Sequence, residues 1–239
     1  MTRRVTHGEI QPRAVVLLSG GLDSTTALAM QEEFACYTLA FRYGQRHAVE
    51  LASAERVSRA FGALEHRVCD LDLRWIGGSA LTADVPVPKD RKATEIACGV
   101  PIPYVPARNA IFLSVALAWA EAIGAEAIVI GANALDYSGY PDCRPEFLAA
   151  WETMARLGTV TRTKAIPIRL LAPLIKMTKA EIIREGLRRG VDYSITHSCY
   201  DPIVGVGITP TLACGSCDSC LLRKKGFAEA GVSDPTRYA

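Results

Sequence analysis

Residues 17–27 read LLSGGLDSTTA: an apolar run, a glycine pair, an aspartate and four hydroxyl side chains, with no lysine among them. Glycines let backbone N–H groups approach a phosphate closely, and a helix starting behind them adds partial positive charge. Ser19, Ser24 and Thr25 can donate further hydrogen bonds. Asp23 can position Mg²⁺ or cap the helix. A bare Gly-Gly pair would read as a tight strand-to-helix turn, but the crowding of Ser19, Ser24, Thr25 and Thr26 favours a phosphate cradle. A Walker loop needs a lysine before its final serine or threonine, and the dinucleotide fingerprint needs a third glycine; this stretch has neither.

A second chemistry lies near the other end of the chain. HSCY at 197–200 precedes CGSCDSC at 214–220, which brings Cys199, Cys214, Cys217 and Cys220 into one short region. Two-residue spacing aims successive sulfurs at one ion, and four thiolates close a tetrahedral zinc site with no open position for catalysis. An iron–sulfur cluster accepts similar spacing and stays open as the alternative. Of the eight cysteines, Cys36, Cys69, Cys98 and Cys143 read as core or incidental residues, Cys143 with the weakest grounds.

Three more stretches concentrate polar chemistry: FRYGQRH at 41–47, YVPARN at 104–109 and GANALDYSGYPDCRPEF at 131–147. Arg46, Arg108 and Arg144 can grip a carboxylate or phosphate through paired hydrogen bonds. Asp136, Asp142 and Glu146 can accept purine N–H groups or help hold Mg²⁺. Tyr43, Tyr104, Tyr137 and Tyr140 can stack on a flat base. Each alone reads equally well as an ordinary surface or turn residue; together, after apolar strands, they suggest a site.

The elements that must carry these residues are short apolar strands at Ala14–Leu18, Cys36–Phe41, His66–Leu71, Ala127–Ile130 and Ala165–Leu170. Between them run helix-length stretches with three-to-four-residue apolar spacing, such as Asp23–Phe34 and Arg46–Phe61. Pro106–Ile123, apolar almost all round, predicts a buried helix ending at Gly124, and Thr178–Glu181 a capping box opening a helix that ends near Gly190. The alternation predicts an α/β fold: a doubly wound, mostly parallel, Rossmann-like sheet with helices on both faces. Arg74–Pro103 is longer than most connections and lacks sustained periodicity, the mark of a functional or disordered loop. The expected division is an ATP-binding α/β domain over 1–190 and a small zinc-binding segment over 191–239 packed on it. At 239 residues, 49% hydrophobic and net charge +2, the chain reads as globular. It lacks the basic excess of a nucleic-acid or membrane binder, and a run long enough to span a bilayer. The cytoplasm is the expected compartment, where cysteines serve metals or cores and not disulfides.

SGGLDST resembles the pyrophosphate-binding loop of the PP-loop ATP pyrophosphatases, the adenine nucleotide alpha-hydrolase-like fold. PLIKMTKAEI, from Pro173, resembles a second element of that superfamily, in which Lys176 or Lys179 could approach the phosphates. Taken in order from Leu17 to Cys220, SGGLDSTT, YGQRH, YVPARN, DYSGYPDCRPEF and HSCY…CGSCDSC resemble the 7-cyano-7-deazaguanine synthases of queuosine precursor biosynthesis. The segment Tyr200–Ala213 is longer than is usual there.

That resemblance implies ATP-dependent conversion of 7-carboxy-7-deazaguanine and ammonia into the nitrile, through an adenylated acid and an adenylated amide. It implies ATP contacts at Leu18, Ser19, Gly20, Gly21, Leu22, Asp23, Ser24, Thr25, Thr26, Ala27 and Leu28, with Ser19, Asp23 and Ser24 catalytic. Substrate contacts fall among Tyr43, Gln45, Arg46, Arg108, Asn109, Asp136, Tyr137, Asp142 and Arg144. It implies Mg²⁺, one structural Zn²⁺ on the four cysteines, free ammonia as nitrogen source, and a homodimer without nucleic-acid or membrane partners. A tRNA-modifying adenylating enzyme of the same fold is the runner-up, disfavoured by the small net charge. A zinc-stabilised nucleotide-binding regulator without turnover is the alternative from another class.

Overall fold

The computed structural model describes residues 11–45, 49–96, 99–135, 140–160, 167–205 and 211–239. Its centre is β1 (Arg13–Leu17), where Ala14, Val15 and Val16 are all fully buried. A strand apolar on both faces needs helices on both sides, and it has them. β2 (Ala35–Arg42) pairs with β1 on one side and β3 (Glu65–Asp70) pairs with β2. β4 (Ala127–Val129) flanks β1 on the other side and β5 (Arg169–Leu171) pairs with β4. All pairings are parallel, and the order is β3-β2-β1-β4-β5. The expected doubly wound parallel sheet is therefore present.

One face carries α1 (Leu22–Ala29), α2 (Val49–Ala60), α6 (Lys179–Arg188) and α7 (Asp218–Ala230). Ala27, Leu28, Ala54, Val57, Ile182, Ile183 and Phe227 cover Ala14, Val16, Leu18 and Val129 there. The other face carries α4 (Arg108–Ile123) and α5 (Pro145–Gly158), whose Leu113, Ala116, Leu148 and Trp151 pack on Val15, Leu17, Leu39, Phe41 and Ile128. The capping box before α6 is complete: Thr178 Oγ1 accepts from the Glu181 N–H, and the Glu181 carboxylate accepts from the Thr178 N–H at 2.7 Å.

Two boundaries differ from the sequence reading, and a third falls outside the described residues. α1 stops at Ala29, not Phe34, because the buried Gln31 side chain donates to the Ala27 carbonyl at 2.9 Å and a turn feeds the chain into β2. α2 begins at Val49 among the described residues; Arg46–Ala48 lie outside them. The fifth strand starts at Arg169, and 161–166, which hold the start of the expected strand, also lie outside.

Because β1 feeds outward to β2 and β3 before the chain crosses to β4, the loops leaving β1 and β4 diverge and open a crevice at the carboxyl ends of the strands. Ligands of open α/β sheets bind at such a switch point. The two exits nearly touch. A Cβ on Gly131, just past β4, would lie 2.9 Å from the Ser24 nitrogen, and a Cβ on Gly20 would lie 2.4 Å from the Ala54 nitrogen of α2. Gly20 also has φ +79°, the left-handed conformation that glycine adopts without strain.

The described residues of 74–103 are mostly irregular. They contain one 3₁₀ turn (Arg74–Ile76) and the short α3 (Ala93–Ile96), and they wrap the cysteine region. Lys89 makes an antiparallel bridge to Cys217, the Asp90 N–H donates to the Ser216 carbonyl at 2.8 Å, and Arg91 pairs with Asp218 at 2.9 Å. Among the described residues no helix is long and apolar enough to cross a membrane.

Candidate functional site

The crevice at the switch point is a cavity of about 260 Å³. The opening motif forms one wall. Helix α1 starts at Leu22 behind Gly21. Ser19 and Ser24 close the loop on itself: their hydroxyls are 3.0 Å apart, and the Ser19 N–H donates to Ser24 Oγ at 3.2 Å. Asp23 points at a cation that the loop lacks. Lys179, at the start of α6, donates to both Asp23 carboxylate oxygens at 2.7 and 2.9 Å, with its side chain only 7% exposed. A buried lysine survives only with a partner of this kind. Lys176, the other candidate, is exposed.

Leu18, Ser19, Gly21, Leu22, Asp23 and Ser24 line the cavity. The downstream part of the motif faces inward. Thr25 and Thr26 are fully buried, their hydroxyls donating to the Gly21 and Leu22 carbonyls at 2.8 and 3.0 Å. Thr26 also meets the Tyr193 hydroxyl at 2.7 Å, while Ala27 and Leu28 belong to the core. These four residues hold the helix that carries the loop.

Opposite the loop, the residues after β2 meet the start of α4. Gln45 is fixed by three bonds: its carbonyl oxygen accepts from the Tyr43 N–H at 2.7 Å, and its amide nitrogen donates to the Phe41 carbonyl at 3.0 Å and to Glu50 at 2.8 Å. Burial pushes the Glu50 carboxyl up to about 7, opposed by the Arg108 guanidinium and the Gln45 bond. Arg108 donates to the Tyr43 hydroxyl at 3.2 Å, and burial with the Glu50 charge pushes that phenol up to about 12. Phe41 and Phe112 stack at 3.8 Å beneath this group. Asn109 lines the cavity and is held from behind: its N–H donates to Asp142 Oδ2 at 2.9 Å and its side-chain amide to the Asp142 carbonyl at 3.1 Å. Asp142 thus supports the start of α4 and does not itself reach the cavity.

Of the substrate candidates, Tyr43, Gln45, Arg108 and Asn109 line one cavity together with the loop, and Tyr140 joins them. Arg144 caps α5 and is exposed, away from the cavity, as is Glu146. Tyr104 packs edge-on against Tyr140 at 5.5 Å. Arg46, Asp136 and Tyr137 lie outside the described residues. Cavity-lining residues that sequence reasoning did not name are Glu50, His197, Ser198, Ser219 and Arg223. Glu50 follows the YGQRH stretch closely in sequence and could have been suspected. Arg223, 3% exposed on a helix without clear amphipathic pattern, gave no signal.

The four cysteines converge. Their sulfurs all lie within 4.8 Å of one another, and those of Cys199 and Cys217 are 4.0 Å apart. Thiolates on one tetrahedral ion with bonds of ~2.3 Å stand ~3.8 Å apart, so the set fits a single ion such as zinc. A cluster of several irons would hold its thiolates farther apart. Backbone N–H groups of Cys214 and Asp201 donate to the Cys199 sulfur at 3.2 and 3.4 Å, and that of Cys217 to the Cys214 sulfur at 3.3 Å. Cys36 and Cys69 are half-buried on β2 and β3; Cys143 is buried, accepts from the Asn109 amide and lines the cavity; Cys98 lies outside the described residues.

Proteins similar to this chain over nearly its whole length are known. The chain is 59% identical over 228 residues to a 7-cyano-7-deazaguanine synthase of Myxococcus xanthus, covering 95% of this chain and 97% of that one. It is 60% identical over 236 residues to the protein of that name from Geotalea daltonii, covering 96% and 98%. Among solved structures, a predicted tRNA methyltransferase subunit from Methanocaldococcus jannaschii matches with a TM-score of 0.46 at 15% identity, covering 96% and 93%, a likeness too slight to carry an argument. The profile of the family described as "Queuosine biosynthesis protein QueC" spans residues 13–231, from β1 through the last helix. With loop, cavity and knuckle all inside that span, the chain belongs to the QueC family of queuosine biosynthesis proteins.

Proposed function

We propose that this protein is a 7-cyano-7-deazaguanine synthase, converting 7-carboxy-7-deazaguanine and ammonia into the nitrile at the expense of ATP. The observation that carries the reading is the SGGLDS loop at the switch point, with Asp23 ion-paired to the buried Lys179 and both lining one cavity with Tyr43, Gln45, Arg108 and Asn109. The loop and Lys179 form an anion-binding end and the Arg108–Asn109 side a polar end, which suits a nucleotide laid against a second, flat, acidic reactant.

A carboxylate is a poor electrophile, because oxide would have to leave. Attack by its oxygen on the α-phosphate of ATP expels pyrophosphate and makes AMP the leaving group. Ammonia then displaces AMP to give the amide. Adenylation of the amide oxygen by a second ATP, followed by loss of AMP and two protons, leaves the nitrile. Ser19, Ser24 and the α1 N-terminus receive the departing pyrophosphate, and Lys179 neutralises charge there. No side chain needs to become covalently attached, so catalysis rests on positioning and charge. Mg²⁺ bound with the phosphates would supply further charge neutralisation, and Asp23 would be the loop carboxylate to hold it. Cys199, Cys214, Cys217 and Cys220 would hold Zn²⁺, which has no open position and serves structure. Free ammonia as nitrogen source, a homodimer, and a cytoplasmic setting without nucleic-acid partners complete the reading.

The test is mass spectrometry of products from ATP, Mg²⁺, ammonia and 7-carboxy-7-deazaguanine. The nitrile with AMP is expected; conversion stopping at nucleotide binding without turnover would overturn the proposal.

A further inference from the structure

Helix α1 starts behind Gly21, which has no side chain to cap it. The first N–H groups of any helix lack partners within it, and an uncapped end is a weak one. Here an oxygen comes from 176 residues away: the Leu22 N–H donates to Ser198 Oγ at 3.2 Å. One residue earlier, the His197 N–H donates to the Gly20 carbonyl at 2.9 Å. The loop is thus gripped on both sides of Gly21 by the dipeptide His197–Ser198, and the next residue in sequence is the metal-site ligand Cys199.

Ser198 is itself held by the other half of the cysteine knuckle. Ser219, between Cys217 and Cys220, donates to the Ser198 carbonyl at 2.5 Å. Arg223, three residues beyond Cys220, donates to Thr196 Oγ1 at 2.9 Å, to the Tyr193 carbonyl at 3.1 Å and to Ser198 Oγ at 3.5 Å. Its charge is balanced by Asp234 at 3.1 Å. An unbroken series of contacts therefore runs from four sulfurs gathered on one point to the N–H of the first residue of α1.

We propose that Ser198 is a positioning residue of the nucleotide loop, supplying from far along the chain an acceptor for the first N–H of α1, and that the metal-loaded cysteine knuckle holds it there. The knuckle is then more than a fastener for the end of the chain. It sets the aim of the loop N–H groups and hence the affinity for a phosphate chain.

The inference rests on the nucleotide reading of the loop for one arm of its test only. In the first arm, hydrogen exchange at the Leu22 amide is followed in metal-loaded wild type, chelator-treated wild type, Ser198→Ala and Ser198→Thr, with the amides of Val15 and Val129 as a reference for the sheet. Losing one cap bond corresponds to about fivefold faster exchange at Leu22. That acceleration is expected in Ser198→Ala and in the chelated protein, with the sheet amides unmoved and Ser198→Thr close to wild type. Acceleration in Ser198→Ala alone would overturn the role of the metal, and none in either would overturn the proposal. If chelation also speeds the sheet amides, the Ser198→Ala arm decides; if Ser198→Ala fails to fold, the chelated wild type decides. In the second arm, ATP titration of the metal-loaded proteins is expected to show about fivefold weaker binding for Ser198→Ala, restored by threonine, with KM for the carboxylated deazaguanine unchanged. A wild type that binds no ATP would refute the nucleotide reading while leaving the exchange result to judge the cap.

Discussion

Gly226 on α7 offers a sharp test of how Lys179 reaches the loop. A Cβ built there would lie 2.2 Å from Lys179 Cγ, 2.8 Å from its Cβ and 3.0 Å from Ile183 Cδ1. Carbon atoms in ordinary contact are ~3.5 Å apart, so α6 and α7 would have to part by about 1.3 Å, or Lys179 would have to leave its rotamer. Overpacking of this size costs about 1–3 kcal/mol, while alanine gains about 1 kcal/mol over glycine in a helix interior. The net expectation for Gly226→Ala is a loss of up to about 2 kcal/mol, a fall in Tm of up to about 8 °C for a chain of this size. Activity should suffer more than stability. The Lys179 ammonium is bonded to both oxygens of Asp23, and a displacement of about 1 Å in such a group can cost about 100-fold in turnover. Gly158→Ala is the control, because its Cβ would meet only Met154 Sδ at 3.8 Å. Urea unfolding and AMP release are the assays. A Gly226→Ala protein with the wild-type midpoint and full turnover would refute the claim that the Lys179 stem passes through the gap that Gly226 leaves.

Ser19→Ala is expected to abolish turnover with the fold intact by circular dichroism, and Asp23→Ala to abolish turnover while losing about 3–5 kcal/mol of stability to the unpaired buried Lys179; near-normal activity at saturating ATP would remove these residues from the site. Elemental analysis should find one zinc per chain, and its removal should loosen the segment from Tyr193 onward, since structural zinc contributes on the order of 10 kcal/mol in small zinc peptides; iron, or no metal in fresh protein, would refute this. With heavy oxygen in the substrate carboxylate, the label should appear in AMP, whereas labelled inorganic phosphate with ADP would indicate an acyl phosphate. Glu50, raised to about 7 from 4.5, binds more protons folded than unfolded between those values, so its contribution is intact below pH 4.5 and is lost as pH rises towards 7. Relative to wild type, Glu50→Gln should therefore be more stable at pH 8 than at pH 5, by about 1–3 kcal/mol in urea unfolding; a difference of the opposite sign would refute the shift.

The strands and the phosphate loop were legible because their signals are local. Ala14–Leu17 is apolar on both faces, and glycine with hydroxyls after it can do little but turn and bind. The knuckle was legible from spacing. What the sequence concealed was the division of labour inside the motif: Thr25 and Thr26 look like phosphate donors, yet a helix turns them into the core, where their hydroxyls serve carbonyls and Tyr193. Arg144 failed to join the cavity for a similar reason, since the 3₁₀ turn at Pro141–Cys143 leaves it outside, capping α5. Glu50, Ser198 and Arg223 were hidden because each acts through partners that only the folded chain brings near. The Lys176–Lys179 choice was open in sequence; in the fold Lys176 lies exposed in the turn before α6, whereas Lys179 is buried at the first residue of the helix.

The loop lies near one end of the sequence, but its partners are made late: Lys179, then Ser198, then Arg223. A growing chain therefore carries the SGGLDS motif through most of its synthesis without the groups that pack against it. Contacts so distant in sequence are closed late in folding, since their loop entropy must be overcome first. On the proposed reading, the ability to spend ATP on a reactive adenylate would arise only once translation and metal insertion are finished. Incomplete or proteolytically shortened chains, though they keep SGGLDS, would lack the means to spend nucleotide wastefully.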